Sequence, residues 1–177
     1  MKKTESLDKE DYTVTGKICI YGDSVLRKKA EPVRHVGRQE RKILDEMLSI
    51  MRKAGGVGLA ASQIGLPKRL IVVEYEDNLL MLANPKIIKK EGDELLEEGC
   101  LSFPEIMVKI KRPKKVIVEA LDKNNKGIKI EADYILSRAL QHEMDHLNGR
   151  LIIDYAGLPE KFRIRKKIKE FRKGSKD

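Results

Sequence analysis

The chain has 177 residues, 41% apolar but only 5% aromatic and without Trp, a composition that suits one domain with an aliphatic core. No run approaches the roughly 18 apolar residues of a membrane span, the start Met1-Lys2-Lys3-Thr4-Glu5 lacks an apolar secretory segment, and two cysteines give no disulfide framework. These features argue against a membrane protein or a disulfide-stapled secreted domain, and the expected setting is a reducing cytoplasm. Net charge is +9, yet residues 161–177 hold nine Lys or Arg against Glu170 and Asp177, so the rest of the chain is nearly neutral.

Residues 1–16 are polar and unpatterned and are expected to form a flexible arm, with 17–177 as a single catalytic domain. Asp23 to Lys29 predicts a short helical turn closed by Pro32. Ile43, Leu44, Met47, Leu48 and Met51 recur at helical spacing up to Gly55-Gly56. Leu70–Val73 and Leu79–Ala83 read as strands, with Asn84-Pro85 as the turn after the second. Glu98 to Pro104 reads as a tight loop, and residues 106–133 as antiparallel sheet. Ala132–Leu147 predicts a long helix with Asp133 as N-cap, Asn148-Gly149 as stop, and Ile135, Leu136, Ala139, Leu140 and Met144 as its buried face. A short strand, Leu151–Ile153, and a helix from about Leu158-Pro159 complete the chain. The mix is α+β. In the last helix Phe162, Ile164, Ile168 and Phe171 fall mostly on one side, leaving a strongly cationic outer surface.

The most informative segment lies on the second long helix. His142-Glu143-Met144-Asp145-His146 is an H-E-x-x-H pattern, and a four-residue spacing sets both imidazoles on one face, within reach of one metal ion. Glu143 lies beside the first of them, where a carboxylate can hold or deprotonate a metal-bound water. A third protein ligand is needed. Downstream the acidic candidates are Asp154, Glu160, Glu170 and Asp177, and upstream Cys100 sits between Gly99 and Pro104. Spacing alone does not choose among them. Cys19, in Ile18-Cys19-Ile20, reads as a small buried hydrophobe. In Gly55 to Gly65 the side chains are small and Gln63 is the only large polar group; the segment is either an oxyanion donor site or a tight turn feeding a strand.

Gly56 to Gln63, Glu98-Gly99-Cys100-Leu101-Ser102 and Gln141 to His146 together strongly resemble the three motifs of the peptide deformylases, in that family's order. The resemblance implies a single α+β domain, mostly antiparallel sheets packed around a central helix carrying H-E-x-x-H, with a basic C-terminal helix. It implies Cys100, His142 and His146 as metal ligands, Glu143 as acid/base, and Gln63 and the Leu101 N–H as oxyanion donors. Backbone groups at Val57 and Gly58 would pair with an extended substrate, and Ile135, Ala139 and Val57 would wall the methionine pocket. The implied metal is Fe(2+) in the cell, replaced by Zn(2+) or Ni(2+) in isolated enzyme. The implied substrate is the N-formyl-methionyl end of nascent peptides in a bacterial cytoplasm, with the basic helix as a possible ribosome contact and neither DNA nor membrane as partner. Three positions depart from the common pattern: Ser62 where Pro is frequent, Met107 where many members have Arg, and Arg138 where an apolar residue often borders the methionine pocket. Two rival readings share the H-E-x-x-H segment, a metallopeptidase and a non-enzymatic RNA-binding protein with a structural metal.

Overall fold

In the computed structural model residues 16–174 are described; the arm expected over residues 1–16 therefore falls outside them, except for Gly16. Helix α1, Arg38–Lys53, turns its apolar stripe inward, and Glu40 caps its start by accepting from the Gly37 N–H at 3.0 Å. Five strands form one antiparallel sheet in the order β1 (Gly58–Ala60), β2 (Leu70–Tyr75), β3 (Asn78–Glu91), β6 (Lys115–Asp122) and β7 (Gly127–Asp133). A second sheet is the hairpin β4 (Glu94–Cys100) and β5 (Phe103–Arg112). Helix α2, Tyr134–Leu147, lies centrally and α3, Leu158–Gly174, closes the chain. The α+β class and the central helix agree with the sequence reading.

Three apolar clusters hold these layers together. Ile43, Leu44, Met47 and Met51 of α1 pack on Leu59, Leu70 and Val72. Leu140, Met144 and Leu147 of α2 pack with Ile71, Val73 and Val118 of the sheet. Ile164 and Ile168 of α3 join Phe103, Ile106, Val108 and Ile110 under the hairpin. α2 is thus held by apolar contacts on its sheet side, while the buried polar residues Ser137, Arg138, Gln141, Glu143 and His146 share the same helix.

Several local expectations are corrected. Asn84-Pro85 is not a turn: β3 runs through it with a bulge, Asn84 taking φ +53°. There its side chain accepts from the Val33 N–H at 3.0 Å and donates to the Val33 carbonyl at 2.8 Å, and the bulge tolerates a proline that has no N–H to give the ladder. The loop expected at Glu98–Pro104 is mostly strand, with only Leu101 and Ser102 turning. The strands expected over 106–133 divide between two sheets, because β5 pairs with β4 whereas β6 pairs with β3 and β7. Ala132 still belongs to β7, and the helix starts at Tyr134. Leu151–Ile153 leads into a 3-10 turn, Ile152–Tyr155, not a strand; Asp154 there accepts from Leu151 N–H and binds Arg27 through both carboxylate oxygens.

The C-terminal helix is also only partly as expected. Ile164 and Ile168 are buried, but Phe162 is 73% exposed and Phe171 41% exposed. Ile168→Ala should therefore cost about 2–5 kcal/mol in urea unfolding, the usual range for truncating a buried Ile. Phe162→Ala should change stability by no more than about 0.5 kcal/mol. Equal costs at the two positions would contradict this packing.

Candidate metal centre

β4 ends at Cys100 where the hairpin turns, and α2 presents His142 and His146 one turn apart toward that turn. One ligand atom from each of Cys100, His142 and His146 lies within 4.8 Å of the others, the only such group of three among the described residues. Cys100 Sγ is 3.2 Å from His146 Nε2. Among the described residues none of the downstream carboxylates joins them; Asp177 lies outside the described residues. Asp154, the nearest in sequence, is occupied by Arg27.

Burial and hydrogen bonding set the two imidazoles apart in protonation. Burial, aided by neighbouring His142 and Arg112, holds His146 well below the ordinary imidazole range, so it is neutral. Burial also opposes charge on His142, but hydrogen bonds to Cys100 and Glu98 outweigh it and raise that group. His142 Nδ1 lies 2.9 Å from Glu98 Oε2. The Glu98 carboxylate only accepts, so Nδ1 carries a proton, and Nε2 is the nitrogen whose own proton a metal ion would displace. His146 Nδ1 and Glu143 Oε2 are buried without a hydrogen-bond partner. A thiol, two imidazoles and an orphaned Glu143 oxygen at the same cleft fit a borderline-soft transition ion, and not Mg(2+) or Ca(2+), which take oxygen ligands.

Glu98 anchors the arrangement. It is 6% exposed, and Arg112 donates to both of its oxygens, Nε to Oε1 at 2.5 Å and Nη2 to Oε2 at 2.9 Å. Arg138 Nη1 donates to Oε1 at 2.6 Å. Burial opposes ionisation, yet the hydrogen bonds from His142 and Arg112 more than offset it and hold Glu98 down at about 2. Sequence reasoning missed this role. A signal existed: Arg112 stands at the core parity of β5 after Val108 and Ile110, where a charge needs a buried partner.

Glu143 also lines the cleft. Burial pushes its carboxyl up to about 7, within range of proton transfer at neutral pH. A Cβ added at Gly58 would strike its carboxylate, so the glycine is what admits Glu143 to this position. Gln63, 1% exposed, is fixed by its Oε1, which accepts from the Ala60 N–H at 2.8 Å. Its Nε2 donates to Ser102 Oγ at 3.2 Å and points at Cys100 Sγ 3.6 Å away.

A cleft of about 660 Å³ opens over these groups. Its lining includes Val57, Gly58, Gln63, Cys100, Leu101, Ile135, Ala139, His142 and Glu143, while His146 lies beneath the floor. Ile135 stands at the mouth, 36% exposed, and not in the helix's buried face as expected. Met107 is 54% exposed at the rim. Arg138 also borders the cleft but is drawn inward by Glu98 and by the carbonyls of Ile110 and Glu94 at 3.0 and 2.9 Å, so its charge is neutralised below the rim.

Residues 15–162 match the family model described as polypeptide deformylase. A peptide deformylase of Thermodesulfovibrio yellowstonii is 47% identical over 154 residues, covering 84% of this chain and 93% of that protein. The crystal structure of a peptide deformylase from Legionella pneumophila superposes with TM-score 0.86 at 36% identity, covering 90% of this chain and 96% of that one. A peptide deformylase from Synechococcus elongatus in complex with actinonin gives TM-score 0.82 at 38% identity, with 88% of each chain covered. With the three motifs gathered at one cleft and the match running through nearly all of the fold, the chain belongs to the polypeptide deformylase family.

Proposed function

We propose that the chain hydrolyses the formamide of N-formyl-methionine at the start of nascent polypeptides, releasing formate and a free amino terminus. It is a hydrolase of a metal-dependent family. The observation that carries the residue assignment is the convergence of Cys100, His142 and His146 beside a buried, unpartnered Glu143 oxygen at the cleft floor. These three side chains would hold one divalent ion, Fe(2+) in the cell and Zn(2+) or Ni(2+) equally compatible with the donor set. Such an ion supplies Lewis acidity, polarising a carbonyl and making water nucleophilic at neutral pH.

The chain's own groups do the remaining work. Glu143 takes a proton from the attacking water and passes it to the departing amine. Gln63 Nε2 and the Leu101 N–H donate to the formyl oxygen as charge develops on it. Val57, Ile135 and Ala139 receive the methionine side chain. β1 is an edge strand, and the Val57 carbonyl already accepts from the Glu74 N–H at 2.8 Å. Successive residues of a strand alternate sides, so the backbone groups of Gly58 face outward and are available to an extended substrate.

We also read the outer face of α3 as a ribosome contact. Arg163, Arg165, Lys166 and Lys169 are exposed while Ile164 and Ile168 face the core, so this charge faces outward; Lys167 instead reaches back to the Glu105 carbonyl at 3.2 Å. On this reading the enzyme acts in the bacterial cytoplasm, where formylated chains emerge; the bacterial origin of its relatives supports it. Among the described residues no helix is long and apolar enough to cross a membrane.

Formate release from a formyl-Met-Ala-Ser peptide, abolished by a strong chelator and restored by added metal, is the direct test. An internally cleaved peptide as the better substrate would favour a metallopeptidase instead. Cys100→Ser should drop bound metal well below one per chain, and full occupancy in that variant would remove Cys100 from the ligand set. Glu143→Gln should retain metal and lose at least ~10²-fold in turnover, and Gln63→Leu should raise the barrier by about 3 kcal/mol. Turnover near wild type in either would refute its role. Truncating α3 is a poor probe of ribosome docking because Ile164 and Ile168 are core residues. The triple variant Arg163→Glu, Lys166→Glu, Lys169→Glu should instead lose ribosome co-sedimentation at low salt while cleaving short peptides normally. Undiminished co-sedimentation would defeat the docking assignment.

A further inference from the structure

Beyond Glu98 the polar chain continues outward, away from the cleft. Arg112 uses its remaining nitrogen, Nη1, to donate to Asp145 Oδ2 at 2.8 Å. The Tyr155 hydroxyl donates to that same oxygen at 2.6 Å, and Arg112 Nη1 lies 3.5 Å from the Tyr155 oxygen. The Tyr155 ring has the Arg112 guanidinium 5.2 Å from its centroid and that of Arg150 4.3 Å away. Asp145 stands on α2 between the two histidines, and Tyr155 on the 3-10 turn that follows the helix. The arm therefore ties together the helix bearing His142 and His146, the hairpin bearing Cys100, and the turn beyond α2.

None of these three residues lines the cleft, so they cannot act on substrate directly. What they can do is restrict Arg112. Its guanidinium is a rigid planar fork, and gripping both Glu98 oxygens sets the plane of that carboxylate. The orientation of Glu98 Oε2 in turn sets the ring of His142. Arg138 holds Oε1 alone, so the plane of the carboxylate is set by Arg112, which grips both oxygens, and Asp145 and Tyr155 fix that guanidinium from its far side. Resting on the metal-centre assignment above, we propose that Tyr155 and Asp145, acting through Arg112 and Glu98, are positioning residues that aim the His142 imidazole at the metal.

Tyr155→Phe is the sharpest test, because it keeps the ring between two arginines and removes only the hydroxyl. Zinc affinity is measured by competition with a chromophoric chelator, alongside the visible spectrum of the Co(II)-substituted protein and the melting temperature of the metal-free protein. Affinity should fall by about 10-fold, the lower end for losing an outer partner of a metal ligand. The Co(II) bands should shift as the ligand geometry relaxes, with the metal-free melting temperature moving little. Arg112→Lys, which keeps the charge but loses the fork, should weaken binding further in the same direction. Wild-type zinc affinity and an unchanged Co(II) spectrum in Tyr155→Phe would overturn the proposal, even with a lowered melting temperature, since the arm would then be packing alone. A wild-type protein that binds no metal would instead overturn the functional reading on which the proposal rests.

Discussion

One buried carboxylate organises the molecule. Moving a charge from water into a protein interior is costly, several kcal/mol even after relaxation, and Glu98 offsets that cost only because two arginines and a histidine converge on it. Those partners come from different elements. Arg112 ends β5, while Arg138 and His142 lie on successive turns of α2. Holding one carboxylate thus fixes the distance between the hairpin and the helix. Cys100, two residues beyond Glu98 on the same strand, is carried to its place by the same contacts.

A second constraint is steric. The carboxylate of Glu143 occupies space that any side chain at position 58 would fill, and the isobutyl group of Leu101 lies where a Cβ at Gly56 would stand, 2.7 Å away. Two glycines, Gly56 just before β1 and Gly58 at its first position, therefore let the five-stranded sheet and the hairpin turn both close on α2. The cleft is what remains between them, walled on one side by an edge strand and on the other by the hairpin. A buried carboxyl, a thiol with two imidazoles and a free backbone edge meet there because α2 supplies polar residues on the flank that the sheet does not cover.

Much of this was legible in the chain. The H-E-x-x-H spacing is a local geometric statement, true of any helix, so His142, Glu143 and His146 could be grouped without knowing the fold. The stripe of α1 and the strand β2 were equally local. Elements whose stability comes from distant partners were read less well. The end of β4, Glu98 to Cys100, looked like part of a loop because its inward position carries Glu98 instead of an apolar residue, and Asn84-Pro85 looked like a turn because its partner, Val33, is 51 residues away. Phe162 fits the apolar side of α3 by spacing, yet that side extends past the edge of the body it packs on.

The sequence by itself determined the aliphatic core, the α+β class, the two histidines with their glutamate, and the cationic tail, since each depends on composition or on spacing within one element. Spacing left the third ligand open between Cys100 and several carboxylates, and only the tertiary structure brings Cys100 to the histidines while Arg27 occupies Asp154. It also decided that Arg138 turns inward to Glu98 and that Arg112, Asp145 and Tyr155 form one chain. The reason is physical. A buried charge is tolerated only where its partners meet it, and residues 98, 112, 138 and 155 become neighbours only when two sheets and a helix have packed together.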